Sequence, residues 1–298
     1  MRKRSSDEFA HLVNFLGSVK SFTGEDLIFL PKGALYHYTD LSGLQGILQT
    51  DDLWLTHSRY LNDDEEITHG YRIVREVIEE ERKTATSDRI EFLDGLYPLV
   101  REPSAEGVYI CSFCLVDNQL SQWRGYGANG TGVSLEFAGS GFSYVTGSDS
   151  PPDGLMRLWE VFYSEPTQKG IVKQAIDFAF NMADRSLDER THQAAYAIQF
   201  FIPTFKNDGF QEEQECRLIF TPSPTFSLHP KFRVTRSMLI PYLTLKQLSN
   251  STAPLPLTGV RVGPSANQDL NLESTRMVLA QKGRADIPIN ISNISFRG

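Results

Sequence analysis

Apolar residues follow two spacings along this chain, one typical of strands and one typical of helices. Short runs rich in β-branched and aromatic residues predict strands at 34–39, 53–56, 107–115, 131–137 and 158–164, at the end of 211–221, and at 231–236, 259–263 and 287–292. Apolar residues three and four apart predict helices at 41–48, from about 63 to 83, twice within 167–205 and at 269–282. The elements follow no regular βαβ order, which predicts an α+β fold.

Polar residues and glycine mark where several of these helices begin and end. Thr39 or Asp40 precedes the helix at 41–48 and offers a side-chain oxygen to its first turn. Gly283 follows the helix at 269–282, where glycine commonly ends a helix. We therefore expect a strand, a short helix and a second strand over residues 34–56.

Composition and domain organisation indicate one globular α+β domain. The chain has 298 residues, of which 40% are hydrophobic and 22% charged, which is enough to form a core. We expect an N-terminal helix and connector at 1–30, packed on the body or docking a partner, and a single domain at 31–298. A helical insertion is expected at about 167–206.

Charge and cysteine content exclude several classes of protein. The net charge of −8 argues against bulk binding of duplex nucleic acid, which needs a concentrated basic face. No run approaches the ~20 apolar residues of a spanning helix, and polar residues interrupt the N-terminal segment, so we expect no membrane partner and no signal peptide. Three cysteines indicate a reducing compartment, and the cytoplasm is the expected location.

Cys111 and Cys114 form a CxxC pair without a second pair. Structural zinc needs about four ligands, and positions three apart on a strand face opposite ways. We expect two packed thiols, with no bound metal and no disulfide between them. Phosphate-binding and dinucleotide glycine motifs do not occur in the sequence.

Glu213 and Glu215 are two residues apart and would share one face of a strand. Two close carboxylates repel each other unless a cation or hydrogen-bond donor meets them. Arg217 would lie on the same face and could supply that charge. The alternative is a solvated strand end with no function.

Three aromatic or imidazole side chains have two interpretations each. His37 is either a structural residue of its strand or a ligand-binding group. Trp123 and Tyr126 lie in a glycine-rich bend, either as core residues or as a stacking wall for a flat heterocycle.

Five segments together resemble one large bacterial family. They are LYHYTDLSGLQGIL, SRYLNDDEE, ICSFC with QWRGYG and GVSLEF, EEQECRLIF, and VRVGPSAN with PINISNISFR. The family is known as domain of unknown function twenty-nine seventy-one, and the resemblance spans residues 34–297. Its name carries no biochemistry.

The segment LYHYTDLSGLQGIL is also similar to the opening of DNA-targeting ADP-ribosyltransferase toxins and of RNA 2′-phosphotransferases. This resemblance implies an ADP-ribosyltransferase-like core of short strands in two packed sheets. It implies cleavage of the nicotinamide–ribose bond of NAD, without a metal, and transfer of ADP-ribose to an unknown macromolecular acceptor, protein or nucleic acid. Such an enzyme would act as a toxin or phage-defence effector. The alternatives are an NAD glycohydrolase and a non-catalytic nucleotide-binding or partner-binding module.

The same resemblance implies roles for named residues. Glu215 would hold the ribose 2′-hydroxyl and stabilise positive charge, and Glu213 would act on the acceptor as general base. His37 with Thr39 would orient the ribose on the adenine side. The remaining residues expected to bind NAD are Tyr38, Ser112, Trp123, Tyr126 and Arg217, while Asn62, Asp63 and Glu66 would shape the substrate side or cap a helix.

Overall fold

The computed structural model describes residues 33–61, 66–101, 107–142, 154–223, 227–235, 237–249 and 252–295. The strands in these ranges are β1 (Ala34–Thr39), β2 (Trp54–His57), β3 (Tyr109–Cys114), β4 (Val133–Ala138), β5 (Gly154–Glu160), β6 (Glu215–Pro222), β7 (Lys231–Val234), β8 (Leu239–Thr244), β9 (Leu257–Val262) and β10 (Ile289–Ile291). The helices are α1 (Leu41–Thr50), α2 (Glu66–Arg82), α3 (Ser87–Val100), α4 (Leu120–Gly125), α5 (Glu165–Phe180), α6 (Leu187–Phe201), α7 (Leu245–Ser249) and α8 (Gln268–Gln281). The fold is α+β, as the sequence predicts. The N-terminal helix expected at 1–30 lies outside the described residues.

Local signals at two helix ends behave as predicted. The side chain of Asp40 accepts a hydrogen bond of 2.6 Å from the backbone amide of Gly43 at the start of α1. After α8, Gly283 has φ +70°, which is strained for residues with a Cβ. Both ends therefore follow from the residue types at those positions.

The described strands form one mixed sheet in the order β10-β9-β4-β1-β3-β2-β8-β7, with β6 beside β3 and β5 beside β6. Only β9 and β10 pair in parallel. The expectation of two separate sheets is wrong for the described strands, because β3 pairs with β6 along one edge and with both β1 and β2 along the other.

The sheet forks at β3. On the same edge of this strand, β1 pairs at Cys114 and β2 pairs at Ile110 and Tyr109. Neither strand pairs with the three residues between, 111–113. Because β1 and β2 diverge from one shared strand, a gap opens between them.

Two large hydrophobic cores and a smaller one around Trp123 support the described part of the sheet. One is formed by α2, α3, α5 and α6, and its largest buried members include Phe92 and Phe201. The other packs residues of β3, β4 and β6 with α1 and α8, including Phe137 and Phe220. The helical layer comes from two chain segments, 66–100 and 165–201, and the second contains the two helices expected within 167–205.

One predicted strand is shifted along the chain. The strand expected at 158–164 is β5, which begins at Gly154 and ends at Glu160 because it follows the full length of β6. Phe162 then forms an isolated parallel bridge with Phe205.

None of the helices in the described ranges is both long enough and apolar enough to cross a membrane.

Candidate active site

A cavity of about 720 Å³ occupies the fork of the sheet. Small-molecule sites commonly have this size. Its walls come from β1 and α1, the unpaired part of β3, the end of α4, the residues before β6, and β2 with β7. The residues predicted to act on NAD that line it are His37, Tyr38, Thr39, Ser112, Tyr126, Glu213 and Glu215.

The imidazole of His37 bridges β1 and β3 where their backbone pairing ends. Its Nδ1 lies 2.9 Å from the carbonyl oxygen of Ser112. A carbonyl oxygen only accepts, so Nδ1 carries the proton and Nε2 is the acceptor in the neutral ring. Burial lowers the pKa of the His37 imidazole, which favours that neutral form.

Thr39 lies at the cavity wall where β1 turns into α1. The turn is tight, since a Cβ added at Gly43 would lie 2.0 Å from Thr39 Oγ1. Only glycine leaves room for that hydroxyl at the start of the helix.

Tyr38 also borders the cavity, although its side chain belongs largely to the core. Its hydroxyl donates to the carbonyl of Val116 at 3.3 Å and accepts from the amide of Gln119 at 3.1 Å. Burial raises the pKa of Tyr38 to about 12, so the phenol stays protonated.

Glu213 and Glu215 do not share a strand, and the sequence prediction is wrong on this point. Glu213 ends a 3₁₀ segment at Asp208–Glu213, Gln214 adopts a left-handed conformation with φ 41°, and Glu215 is the first residue of β6. The sharp turn at Gln214 nevertheless brings both carboxylates to one place.

Lys206 joins the two carboxylates. Its Nζ lies 2.6 Å from Glu213 Oε2 and 2.9 Å from Glu215 Oε2. Lys206 is buried. It directly follows Phe205, and the pairing of Phe205 with Phe162 places Lys206 beside the two carboxylates. Sequence reasoning missed this residue because nothing in the local pattern links position 206 to position 215.

Arg217 completes what we call the carboxylate cluster: Glu213, Glu215, Lys206 and Arg217. Its Nε and Nη2 donate to the two oxygens of Glu215 at 2.7 and 2.8 Å, in the bidentate arrangement that suits arginine. Burial alone raises the pKa of the Glu215 carboxyl, but Arg217 and Lys206 hold it well below its ordinary value. Arg217 is wholly buried behind Glu215 and does not itself line the cavity.

The two carboxylates of the cluster differ in accessibility. The side chain of Glu213 is 16% exposed and that of Glu215 is 6% exposed. Both oxygens of Glu215 bind cations, and the Ser112 hydroxyl hydrogen-bonds to the same carboxylate. Glu213 is therefore the carboxylate that a ligand in the cavity reaches more easily.

The two aromatic residues of the glycine-rich bend separate. Trp123 is fully buried, donates from Nε1 to Asn118 Oδ1 at 3.1 Å and packs edge-on against Tyr38. Tyr126 is 39% exposed, lines the cavity and donates its hydroxyl to Glu213 Oε1 at 3.3 Å. Of the two aromatic residues, Tyr126 is therefore the one that borders the cavity, while Trp123 is a core residue.

Of the residues expected on the substrate side, Asn62 and Asp63 lie outside the described residues, and Glu66 begins α2. Cys111 and Cys114 border the cavity. These two cysteines and Cys216 are free and buried, and burial raises the pKa of Cys111 to about 12 and that of Cys114 to about 11. The absence of a metal stays a prediction.

Sequence reasoning also missed the part of the cavity wall that β2 and β7 form. Arg233 of β7 lines the cavity there with Trp54 and Thr56 of β2. Its Nη2 donates to Thr56 Oγ1 at 3.1 Å, and its guanidinium carbon lies 6.0 Å from the centre of the Trp54 ring. A basic residue in a short edge strand gives no sequence signal for such a position.

The fold and site define an α+β protein with a forked sheet and a carboxylate-lined cavity in the fork. Residues 122–218 match the family model described as "Protein of unknown function (DUF2971)". The matched segment includes Tyr126 and the whole carboxylate cluster. Searches of the curated proteins and of the solved structures gave no match.

Proposed function

We propose that this protein is an ADP-ribosyltransferase-like enzyme that cleaves the nicotinamide–ribose bond of NAD in the forked-sheet cavity. The observation that carries the proposal is the meeting of a neutral imidazole, an exposed tyrosine and a carboxylate pair in one cavity of about 720 Å³. These are the groups that the chemistry needs, and they come from three separate parts of the chain.

The chemistry assigns each group a task. Breaking the nicotinamide–ribose bond places positive charge on the ribose, and a fixed carboxylate nearby stabilises that charge. Tyr126 offers its ring to the nicotinamide. His37, with Nε2 as acceptor, receives a hydrogen bond from a ribose hydroxyl, and Thr39 lies beside it on the same cavity wall.

Accessibility divides the work between the two carboxylates. We assign the contact with the ribose to Glu213, because its side chain is the more exposed of the two. Glu215 keeps Lys206 and Arg217 in place, so that Lys206 in turn positions Glu213. This assignment reverses the order of importance that the sequence indicates.

One observation favours a second candidate function, a non-catalytic nucleotide-binding module. Two cations neutralise the two acids of the carboxylate cluster, so the cluster as a whole offers no net negative charge to an oxocarbenium ion. Binding of a nucleotide needs no such charge. The two candidates differ in whether nicotinamide is released.

The test is incubation of the purified protein with NAD that carries one label in the nicotinamide and another in the adenine, with and without cell extract. The enzyme proposal expects release of the nicotinamide label and transfer of the adenine label to a macromolecule. Release without transfer identifies a glycohydrolase, and binding without release identifies the module.

A matched pair of variants links the activity to the cavity. Glu213→Gln is expected to abolish release of nicotinamide. Glu212→Gln removes the neighbouring, exposed carboxylate and is expected to leave release unchanged. Equal activity of both variants and the wild type would refute the assignment of Glu213.

A further inference from the structure

Arg233 is the one lysine or arginine among the described residues that line the cavity. The other two cations nearby, Lys206 and Arg217, are buried within the carboxylate cluster and are engaged by Glu213 and Glu215. A ligand in the cavity therefore meets fixed positive charge at Arg233.

The charge of Arg233 has no acidic partner among the described residues. Its electrostatic neighbours there are Tyr242, Cys111 and His37, and its hydrogen-bond acceptor is the neutral hydroxyl of Thr56. Partial burial of a charge without a counter-charge is unfavourable, and an anion in the cavity would relieve it.

The guanidinium is held in position rather than free in solvent. Thr56 accepts from Nη2, and the ring of Trp54 lies beside the guanidinium and stacks on Tyr242 with ring centres 4.4 Å apart. A guanidinium fixed in this way at a cavity wall is suited to the recognition of phosphate oxygens.

We propose that Arg233 binds the diphosphate group of the dinucleotide, an inference that rests on the proposed function. Arg233 and Glu213 line different walls, on β7 and beside β6, and β3, β2 and β8 lie between these two strands in the sheet. A dinucleotide that places its nicotinamide ribose at Glu213 therefore extends its negatively charged middle toward β7. Arg233 sets the direction in which the ligand lies and takes no part in bond breaking.

The test measures binding of ADP-ribose and of inorganic pyrophosphate by calorimetry, with wild type, Arg233→Ala, Arg233→Lys and Lys231→Ala. Loss of a charge-assisted contact is expected to weaken ADP-ribose binding by about 10- to 100-fold in Arg233→Ala. Arg233→Lys keeps the charge and is expected to recover part of the affinity. Lys231→Ala removes an exposed cation from the same strand and is expected to bind as the wild type does.

The outcomes separate this inference from the proposed function. If NAD is cleaved but Arg233→Ala binds ADP-ribose as tightly as wild type, the inference is overturned and the function stands. If binding depends on Arg233 but nicotinamide is never released, the inference stands and the enzymatic function fails. If the wild type binds neither probe, the inference is overturned. A melting temperature checks each variant, and Arg233→Gln replaces Arg233→Ala should the latter fail to fold.

Discussion

Lys169 on the helical layer and Lys206 beside the cavity both bridge glutamates, but in different surroundings. Lys169 lies 3.1 Å from Glu76, 3.1 Å from Glu80 and 3.2 Å from Glu165, whose side chains are between 34 and 48% exposed. Lys206 contacts two glutamates whose side chains are at most 16% exposed. Water screens the first group, which we call the surface cluster, and screens the carboxylate cluster far less.

The number of ion pairs in a cluster therefore does not measure how much the cluster contributes to stability. The surface cluster is charge on a helical face, worth little to stability. The carboxylate cluster lies at the start of β6, and removing one of its members leaves a buried charge without its partner. We therefore expect larger effects from changes at the carboxylate cluster than from changes at the surface cluster.

Arg217→Met is expected to destabilise the protein by about 3–5 kcal/mol, because Glu215 stays buried with Lys206 as its one remaining cationic partner in the cluster. Urea unfolding followed by circular dichroism measures the change. The double variant Glu215→Gln with Arg217→Met is the control, and it is expected to recover part of the loss because both charges are gone. A single-variant loss below about 1 kcal/mol would show that the cluster is not held by these charges.

Acid is expected to destabilise the wild type through Glu215. Its pKa is lowered in the folded protein from 4.5 to about 2, so its stabilising contribution is present above pH 4.5 and is lost as the pH falls toward 2. Unfolding free energies of wild type and Glu215→Gln are to be compared across this range. The difference between them should shrink on acidification. A constant difference would contradict the ionised state of Glu215.

Tyr126→Ala is expected to weaken NAD binding by about 3- to 10-fold, the loss of one aromatic stacking contact. Tyr126 is 39% exposed, so the unfolding free energy should change little. Calorimetric titration and urea unfolding of the same preparation measure both quantities. Trp123→Phe provides the contrast, since a change in this core residue should lower stability more than affinity.

Lys169→Ala in the surface cluster is expected to cost about 0–1 kcal/mol, and the cost should fall further in high salt. Urea unfolding at two ionic strengths measures it. A loss as large as that of Arg217→Met would remove the distinction between the two clusters.

Local sequence signals account for much of the fold. Strand β1 and helix α1 follow from alternating aromatics and from Asp40, which caps the helix where predicted. Helix α3 is absent from the sequence predictions, because Gly95 and Pro98 interrupt its pattern. Its buried residues Phe92, Leu93, Leu96 and Val100 are spaced as a helix requires, and that spacing was the available signal.

The candidate site was predictable in part. His37, Tyr126 and the two glutamates stand out as residue types, and all of them line the cavity. Lys206 and Arg233 do not stand out, because the contacts that bring them there join segments far apart in sequence, such as the contact of Thr56 with Arg233 across 177 positions. The sequence therefore indicates Arg217 as a partner of the carboxylates but neither Lys206 nor Arg233.

We propose that the forked-sheet cavity binds NAD with its nicotinamide ribose at Glu213. The most direct measurement is a crystal structure of the protein with a carbocyclic NAD analogue that cannot release nicotinamide. We expect a ribose hydroxyl of the analogue to be hydrogen-bonded to Glu213 and its nicotinamide to lie against the ring of Tyr126. An analogue bound outside the cavity, or no bound analogue at saturating concentration, would contradict it.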